Sequence, residues 1–264
     1  MALAALIWDV DGTLVDNEEL HRQAFNAAFT AAGLDWHWDQ ASYRELLAVT
    51  GGRERITHFV QTRDPDRAAR PGFPAFVRDL HIDKTRRYGE RLDAGVSLRP
   101  GVARLIGEAR DAGLPQAIAT TTSRVNVERL LEGTLGREAL GWFSVIASGE
   151  TVTAKKPAPD LYRVALDGLG LPGASCLAIE DTSVGLRSAR AAGVPTLITV
   201  SRYSSGEDFT SALAVVDRLG EPDLPSQVLH GSLHGQAYID LSLLRIWHKE
   251  NKLNKEIGNI VNAI

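Results

Sequence analysis

The apolar run Leu3-Ala-Ala-Leu-Ile-Trp8 stops abruptly at Asp9-Val-Asp-Gly-Thr13. A short run with no polar face is the pattern of a strand buried on both sides in a parallel sheet. The acidic residues then fall where such a strand would emerge, and Gly12 permits the tight turn that a strand end needs. Four later segments share this character: Leu114 to Ala119, Phe143 to Ala147, Cys176 to Ile179 and Val194 to Val200. Helical patterns with readable punctuation lie between them. Pro100 starts one and Gly113 ends it; Pro157 to Leu169 and Ser183 to Ala192, stopped by Gly193, are two more. Strand and helix in alternation predict an α/β fold with a doubly wound parallel sheet.

One stretch breaks the alternation. From Asn17 to Leu92 there is only helical periodicity, with Leu20, Ala24, Ala27, Ala28 and Ala31 forming one apolar stripe. This predicts an inserted helical domain over 16–95, with the α/β core made of 1–15 and 96–264. Within the insertion, Lys84-Thr-Arg-Arg87 reads as a solvated helix face. After Asp217, Leu253, Ile257, Ile260, Val261 and Ile264 have helical spacing, which predicts a final helix docked on the core or on a neighbour. Gly168-Leu-Gly-Leu-Pro-Gly173 has dinucleotide-fingerprint spacing but follows a helix and precedes a strand, the reverse of the required order.

Composition narrows the function. Acidic residues number 33 against 29 basic, a net charge of -4, so nothing invites a nucleic-acid backbone or an anionic membrane surface. A single cysteine, Cys176, excludes an internal disulfide framework and a multi-thiolate zinc site. No apolar run reaches the length of a membrane span, and the N-terminus lacks signal-peptide features. The expectation is a cytoplasmic protein, monomeric or a weak homo-oligomer, acting on a small molecule.

Ligands of open parallel sheets bind outside the carboxyl ends of the strands. The topology should gather there Asp9 and Asp11, then Thr120, Thr121 and Thr122, then Lys156, and finally Glu180 and Asp181. Two carboxylates about 4 Å apart repel by roughly 4 kcal/mol at an effective dielectric near 20. With Lys156 as the one nearby cation, such a cluster calls for a hard divalent ion, and Mg2+ favours one or two carboxylates together with a substrate phosphate oxygen. The chemistry this suits is phosphoryl transfer. Asp9 is placed to be the nucleophile, and Asp11 to protonate the leaving oxygen and then deprotonate water. Thr13 could orient the carboxylates. A phosphoaccepting receiver module uses similar groups, but its phosphoaccepting Asp belongs to a later strand and it lacks a large insertion after the first.

Asp9-Val-Asp-Gly-Thr13, Thr120, Lys156-Pro157 and Glu180-Asp181 resemble the four ordered motifs of the haloacid dehalogenase superfamily. The resemblance runs from Leu3 to about Asp217, and the insertion is similar to that family's mobile cap. It implies Asp9 as nucleophile, Asp11 as acid/base, Thr120 as phosphate ligand and Lys156 as counter-charge. Asp9, the Asp11 carbonyl, Glu180 and Asp181 would hold Mg2+. Asp11 and the acidic pair fit a magnesium phosphatase rather than a dehalogenase.

Further stretches resemble CbbY-like phosphatases: Glu18-Glu-Leu-His-Arg-Gln-Ala-Phe-Asn26, Tyr43-Arg-Glu-Leu-Leu47, Thr50-Gly-Gly-Arg-Glu-Arg-Ile56, Lys84-Thr85 and Thr120-Thr-Thr-Ser123 with Asn126. This implies hydrolysis of a sugar bisphosphate, xylulose 1,5-bisphosphate. The alternatives are a mutase like β-phosphoglucomutase and a phosphoglycolate phosphatase. Two departures stand out: the family's Gly-Gly-Lys is Gly51-Gly52-Arg53 here, and the extension beyond Trp247 is atypical, a stretch on which the resemblance says nothing.

Glu18 and His21 share a helix face, which suits either a surface pair or, with the resemblance, contacts to sugar hydroxyls. Gly51-Gly52-Arg53 reads either as a glycine helix stop or as a donor-rich turn for an anionic oxygen cluster. The candidate substrate contacts are completed by Glu54, Arg55, His81, Lys84, Thr121, Thr122, Ser123 and Asn126.

Overall fold

The computed structural model describes residues 2–261, without the side chains of 255 and 258–261. Its centre is a seven-stranded sheet built from β1 (Ala5–Trp8), β2 (Gln116–Ala119), β3 (Val145–Ala147), β4 (Cys176–Glu180), β5 (Thr196–Thr199), β6 (Ala214–Val216) and β7 (Val228–His230). The order is β3-β2-β1-β4-β5-β6-β7, parallel throughout except for the antiparallel β7. The five strands expected from the sequence are all present. β6 and β7 extend the sheet beyond them, and β7 adds the antiparallel edge.

Between β1 and β2 lie α1 (Glu18–Ala31), α2 (Gln40–Leu46), α3 (Gly52–Arg63), α4 (Pro65–Ala68), α5 (Phe73–Asp93) and α6 (Val102–Asp111). Then α7 (Arg124–Leu135) follows β2, α8 (Asp160–Leu169) follows β3, α9 (Ser183–Ala191) follows β4, and α10 (Leu241–Val261) follows β7. Helix α8 begins three residues later than the expected Pro157 start, because Pro157 to Pro159 form a turn ahead of it.

Alternation along each strand sorts the core into two layers. Leu6, Trp8, Ile118, Leu177, Ile179 and Leu197 pack with residues of α6, α7 and α10. Ala5, Ile7, Ala117, Ala119 and Ala178 face Leu161, Tyr162, Ala165 and Ala189 of α8 and α9, where small strand residues admit close helix approach. The insertion has a separate aromatic core, with Phe25, Phe29, Trp38, Tyr43 and Phe59 all buried together. Trp38 lies 4.7 Å from the Phe25 ring and 4.8 Å from that of Phe29.

Helix α10 docks by its first half only: Leu241, Leu243, Leu244 and Trp247 join the main core, and Trp247 donates to the Ser232 carbonyl at 2.9 Å. Of the expected apolar stripe, Leu253 and Ile257 do not pack on the core and are exposed on this chain. Ile264 and the side chains of Ile260 and Val261 lie outside the described residues.

Polar burial in the main layer is matched. Gln116 accepts the Trp8 indole N–H at 2.9 Å and donates to the Ile106 carbonyl at 3.1 Å. Gln116→Leu should therefore strand two buried polar groups and lower unfolding stability by about 1–3 kcal/mol. Urea denaturation checks this; an unchanged midpoint contradicts the role given to this bridge.

Candidate active site

The carboxyl ends of β1 and β4 carry the acidic groups. Asp9 continues the ladder, its N–H donating to the Ile179 carbonyl at 3.0 Å, while Glu180 closes β4 and Asp181 follows it. Asp9, Glu180 and Asp181 are all buried, and one oxygen from each lies within 4.8 Å of the others. Lys156 enters from the turn before α8 and donates to Asp9 Oδ1 and Glu180 Oε1, both at 2.6 Å. Tyr162, on α8, donates to the same Glu180 oxygen at 2.7 Å.

Two glycines make room for this. Gly12 turns at φ +85, and a Cβ there would stand 2.1 Å from Asp181 Oδ2; a Cβ at Gly185 would stand 1.9 Å from Glu180 Oε2. Both carboxylates thus sit directly against backbone.

Three buried carboxylates face one ammonium. Burial pushes the Asp9 carboxyl well above its usual range; Lys156 pulls it back, and Glu180 pushes it further up. Burial likewise raises Asp181, reinforced by the charges of Asp9 and Glu180. Burial opposes the charge on Lys156, but Asp9 and Glu180 more than offset it and raise its affinity for its proton. An all-oxygen donor set with surplus negative charge fits a hard divalent cation.

Asp11 points elsewhere. It accepts from Asn17 Nδ2 at 2.5 Å and from the Thr122 hydroxyl, and His21 Nε2 lies 3.2 Å from Oδ1. Burial opposes its ionisation, yet His21 and the hydrogen bonds from His21, Thr122 and Asn17 win and hold it below the carboxylate range. His21 is stacked on Tyr88 at 3.8 Å, with Lys84 Nζ 2.6 Å from its Nδ1. Lys84 is buried over the Phe25 and Tyr88 rings, so it is not part of the solvated face expected for 84–87. Arg86 and Arg87 do form that face, paired with Asp83. Burial draws the Lys84 ammonium down to about 7 against the opposing pull of Asp11.

Two adjoining cavities meet at Asp11, Glu18, Arg55 and Thr121. One, of about 380 Å³, opens onto Asp9, Lys156, Glu180 and Asp181. The other, of about 350 Å³, lies between the insertion and the loops after β2 and β3. Of the sequence-predicted residues it holds His21, Gly51, Gly52, Arg53, His81, Lys84, Thr122, Ser123 and Asn126. It also receives Arg78 and Lys155, which sequence reasoning missed although Lys155 adjoins the Lys156-Pro157 motif. Burial brings His81 down to about 3, helped by the charges of Lys84, Lys155 and Arg53.

Several expected residues sit differently. Gly51 is the N-cap of α3 at φ 89, so the glycine pair starts a helix and presents its N–H groups, rather than stopping one. Glu54 lines neither cavity and pairs with Lys155 at 2.9 Å. Arg55 lines both but is also tied down, donating to the Tyr43 hydroxyl at 2.9 Å and the Leu46 carbonyl at 3.1 Å. Glu18 accepts from Tyr43 at 2.8 Å. Thr120 is buried, accepts the Thr122 N–H at 3.2 Å and lines neither cavity. Thr13 does not orient the carboxylates: its buried hydroxyl has no hydrogen-bond partner among the described residues. Asn17, Tyr88 and Tyr162 went unread, since each is a single polar residue without a motif.

A sheet of this order, with acidic pairs at the ends of β1 and β4 and a lysine between them, defines a class. Residues 3–193 match the haloacid dehalogenase-like hydrolase family, and the chain belongs to it. It is 50% identical over 248 residues to the plasmid-encoded CbbY of Cupriavidus necator, covering 93% of this chain and 97% of that one. A crystal structure of CbbY from Rhodobacter sphaeroides in complex with phosphate is 45% identical, with TM-score 0.76, over 83% of this chain and 95% of that one. A mutant of the same protein in complex with xylulose 1,5-bisphosphate is 42% identical, with TM-score 0.79, over 91% and 100% of the two chains. The chain is therefore a CbbY-like sugar phosphate phosphatase, a phosphoric monoester hydrolase. No helix among the described residues is long and apolar enough to cross a membrane.

The surplus charge yields a pH-dependent expectation for metal-free protein. Asp181 is raised in the fold, so its ionisation destabilises the protein as pH climbs through the folded value. Asp181→Asn should then stabilise the metal-free protein at pH 8 by on the order of 1 kcal/mol, an advantage that vanishes in acid, where Asp181 is protonated. Urea unfolding in chelator measures this; equal destabilisation at both pH values contradicts it.

Proposed function

We propose that this phosphatase is Mg2+-dependent and hydrolyses a sugar bisphosphate, xylulose 1,5-bisphosphate, through a phosphorylated Asp9. The observation that carries the reading is the division of labour at the end of β1. Asp9 lies buried in the acidic trio under Lys156, while Asp11, two residues on, is turned away, hydrogen-bonded by Asn17 and Thr122 and faced by the His21 ring.

Asp9 attacks phosphorus, the ester P–O bond breaks, and the leaving oxygen takes a proton from Asp11. Water then attacks the phosphoaspartate, giving its proton to ionised Asp11 and restoring Asp9. The surroundings that lower Asp11 favour its ionised form, the form for that second step. For the first, its contacts to His21, Thr122 and Asn17 must loosen as substrate enters. Lys156, which lines the cavity beside Asp9, holds the phosphate, and buried Thr120 supports it through the Thr122 N–H. Mg2+, held by Asp9, the Asp11 carbonyl, Glu180 and Asp181, supplies charge neutralisation to the transferring group when bound.

Residues 16–95 act as a cap over a core of 1–15 and 96–264. The cavity beneath the cap gathers Arg53, Arg78, Lys84 and Lys155, a basic lining for a second phosphate, and neutral His81 and the N–H groups of Gly51 and Gly52 add donors. Glu18, His21, Ser123 and Asn126 are polar groups beside it for sugar hydroxyls. The complex of the 42% identical CbbY mutant with xylulose 1,5-bisphosphate supports this substrate.

Asp9→Asn, isosteric but without the attacking anion, should cut turnover by orders of magnitude with the fold intact. Phosphate release measured in freshly prepared variant decides this, and substantial residual activity excludes Asp9 as the covalent residue. Chelation should abolish wild-type activity and Mg2+ restore it; full activity in excess chelator overturns the metal assignment.

Arg53→Ala should lower kcat/KM for the bisphosphate by about 2–4 kcal/mol, the range for truncating a desolvated charge pair, and affect phosphoglycolate far less. Equal losses on both substrates would reduce Arg53 to a structural support of the cap.

A further inference from the structure

The geometry points to Arg99 as a positioning residue for this active site, one that pins the Gly12 turn to the ends of β5 and β6 at the place where the helical insertion returns to the sheet. The inference rests on the phosphatase reading of that site.

Arg99 lies in the linker between α5 and α6. Its backbone N–H donates to the Leu14 carbonyl at 2.8 Å, so the return linker is tied to the outgoing one. Its guanidinium then fans out. Nη1 donates to the Gly12 carbonyl, to the Thr199 carbonyl at 2.9 Å and to the Thr199 hydroxyl at 3.0 Å. Nη2 donates to the Val200 carbonyl and the Asp217 carbonyl, both at 2.7 Å. These acceptors sit just past β1, at and past the end of β5, and just past β6. Strand ends leave carbonyls without ladder partners, and a planar, permanently charged fork satisfies several at once.

The site depends on where that turn is held. Gly12 directly follows Asp11, and its Cα packs so closely on Asp181 that a Cβ would fall 2.1 Å from Oδ2. Fixing the Gly12 carbonyl therefore fixes the spacing between the Asp9–Asp11 segment and Asp181. Arg99 lines neither active-site cavity, so it acts through Gly12 and touches no substrate. A lysine keeps the charge but presents one nitrogen, which cannot reach acceptors on three elements together. A displacement of about 1 Å at a reacting group is enough to cost about a hundredfold in rate.

Arg99 also helps line a separate open cavity of about 440 Å³ with Val15, Leu20, Val96 and Leu98, and truncation to alanine would add to that space room for a free guanidinium ion.

The test compares wild type, Arg99→Lys and Arg99→Ala by steady-state hydrolysis of xylulose 1,5-bisphosphate, thermal melts and hydrogen exchange of the peptide containing Gly12. Arg99→Lys should be folded at the assay temperature, with kcat down by about tenfold to a hundredfold and KM within about threefold. Exchange should quicken selectively around Gly12. Guanidinium ion at non-denaturing concentration should recover about tenfold or more of the kcat lost by Arg99→Ala. Wild-type kcat in Arg99→Lys overturns the proposal, as does a loss that merely follows the unfolded fraction without guanidinium rescue. A wild-type protein that releases no phosphate would instead refute the functional reading; exchange at Gly12 would still decide the pin, unchanged protection in Arg99→Lys refuting it.

Discussion

A buried ammonium between two carboxylates organises this molecule. Lys156 Nζ reaches Asp9 on one strand end and Glu180 on another at 2.6 Å each, and Asp181 stands beside them. Burying any of these charges alone would be costly; together they are partly compensated, and the residue of negative charge defines what the site still needs. That need is for a cation, and an all-oxygen trio suits a divalent ion. Burial, reinforced by neighbouring carboxylates, raises Asp9 and Asp181, while His21, Thr122 and Asn17 hold Asp11, two residues from Asp9, low. Distinct environments push neighbouring carboxyls apart, which is the usual route to distinct chemical roles.

The sheet order makes that cluster possible. β1 lies between β2 and β4, so the loop after β1 can be met from one side by Thr122 and from the other by Glu180 and Asp181. The helical insertion leaves the chain at this loop and returns at Arg99, which places its α1 and α5 over the site. Asn17, His21, Lys84 and Tyr88 then close around Asp11 from the insertion's side. The residues that surround Asp11 thus come from the insertion, and Arg53, Arg78 and Lys155 line the second cavity beside them.

Much of this was legible in the chain. β1 to β5 announce themselves as short, mostly apolar runs because both of their faces are covered. β6 did not: Ala214–Val216 is three residues long and borders Asp217, too little for a period to emerge. β7 is shorter in its apolar content still, with Leu229 exposed at an edge. Lys84 reads as surface because Asp83, Arg86 and Arg87 surround it, and only the turn of α5 shows it facing the Phe25 and Tyr88 rings. Arg99 carries no motif at all; its role comes from carbonyls on three distant elements, which spacing cannot reveal. The apolar positions late in α10 show the opposite failure, a helical pattern read correctly as a helix whose side chains Leu253 and Ile257 nevertheless face outward.

The central claim is that the carboxylate of Asp9 itself takes the phosphoryl group. Rapid acid quenching during turnover, followed by borohydride reduction, converts an acyl phosphate to the corresponding alcohol, so a phosphorylated aspartate becomes homoserine. Peptide mass spectrometry should find homoserine at position 9 in wild type incubated with substrate and Mg2+, and none when substrate is omitted. Homoserine at Asp11 or Asp181 instead, or a chain unmodified at position 9 while phosphate is being released, would contradict the account.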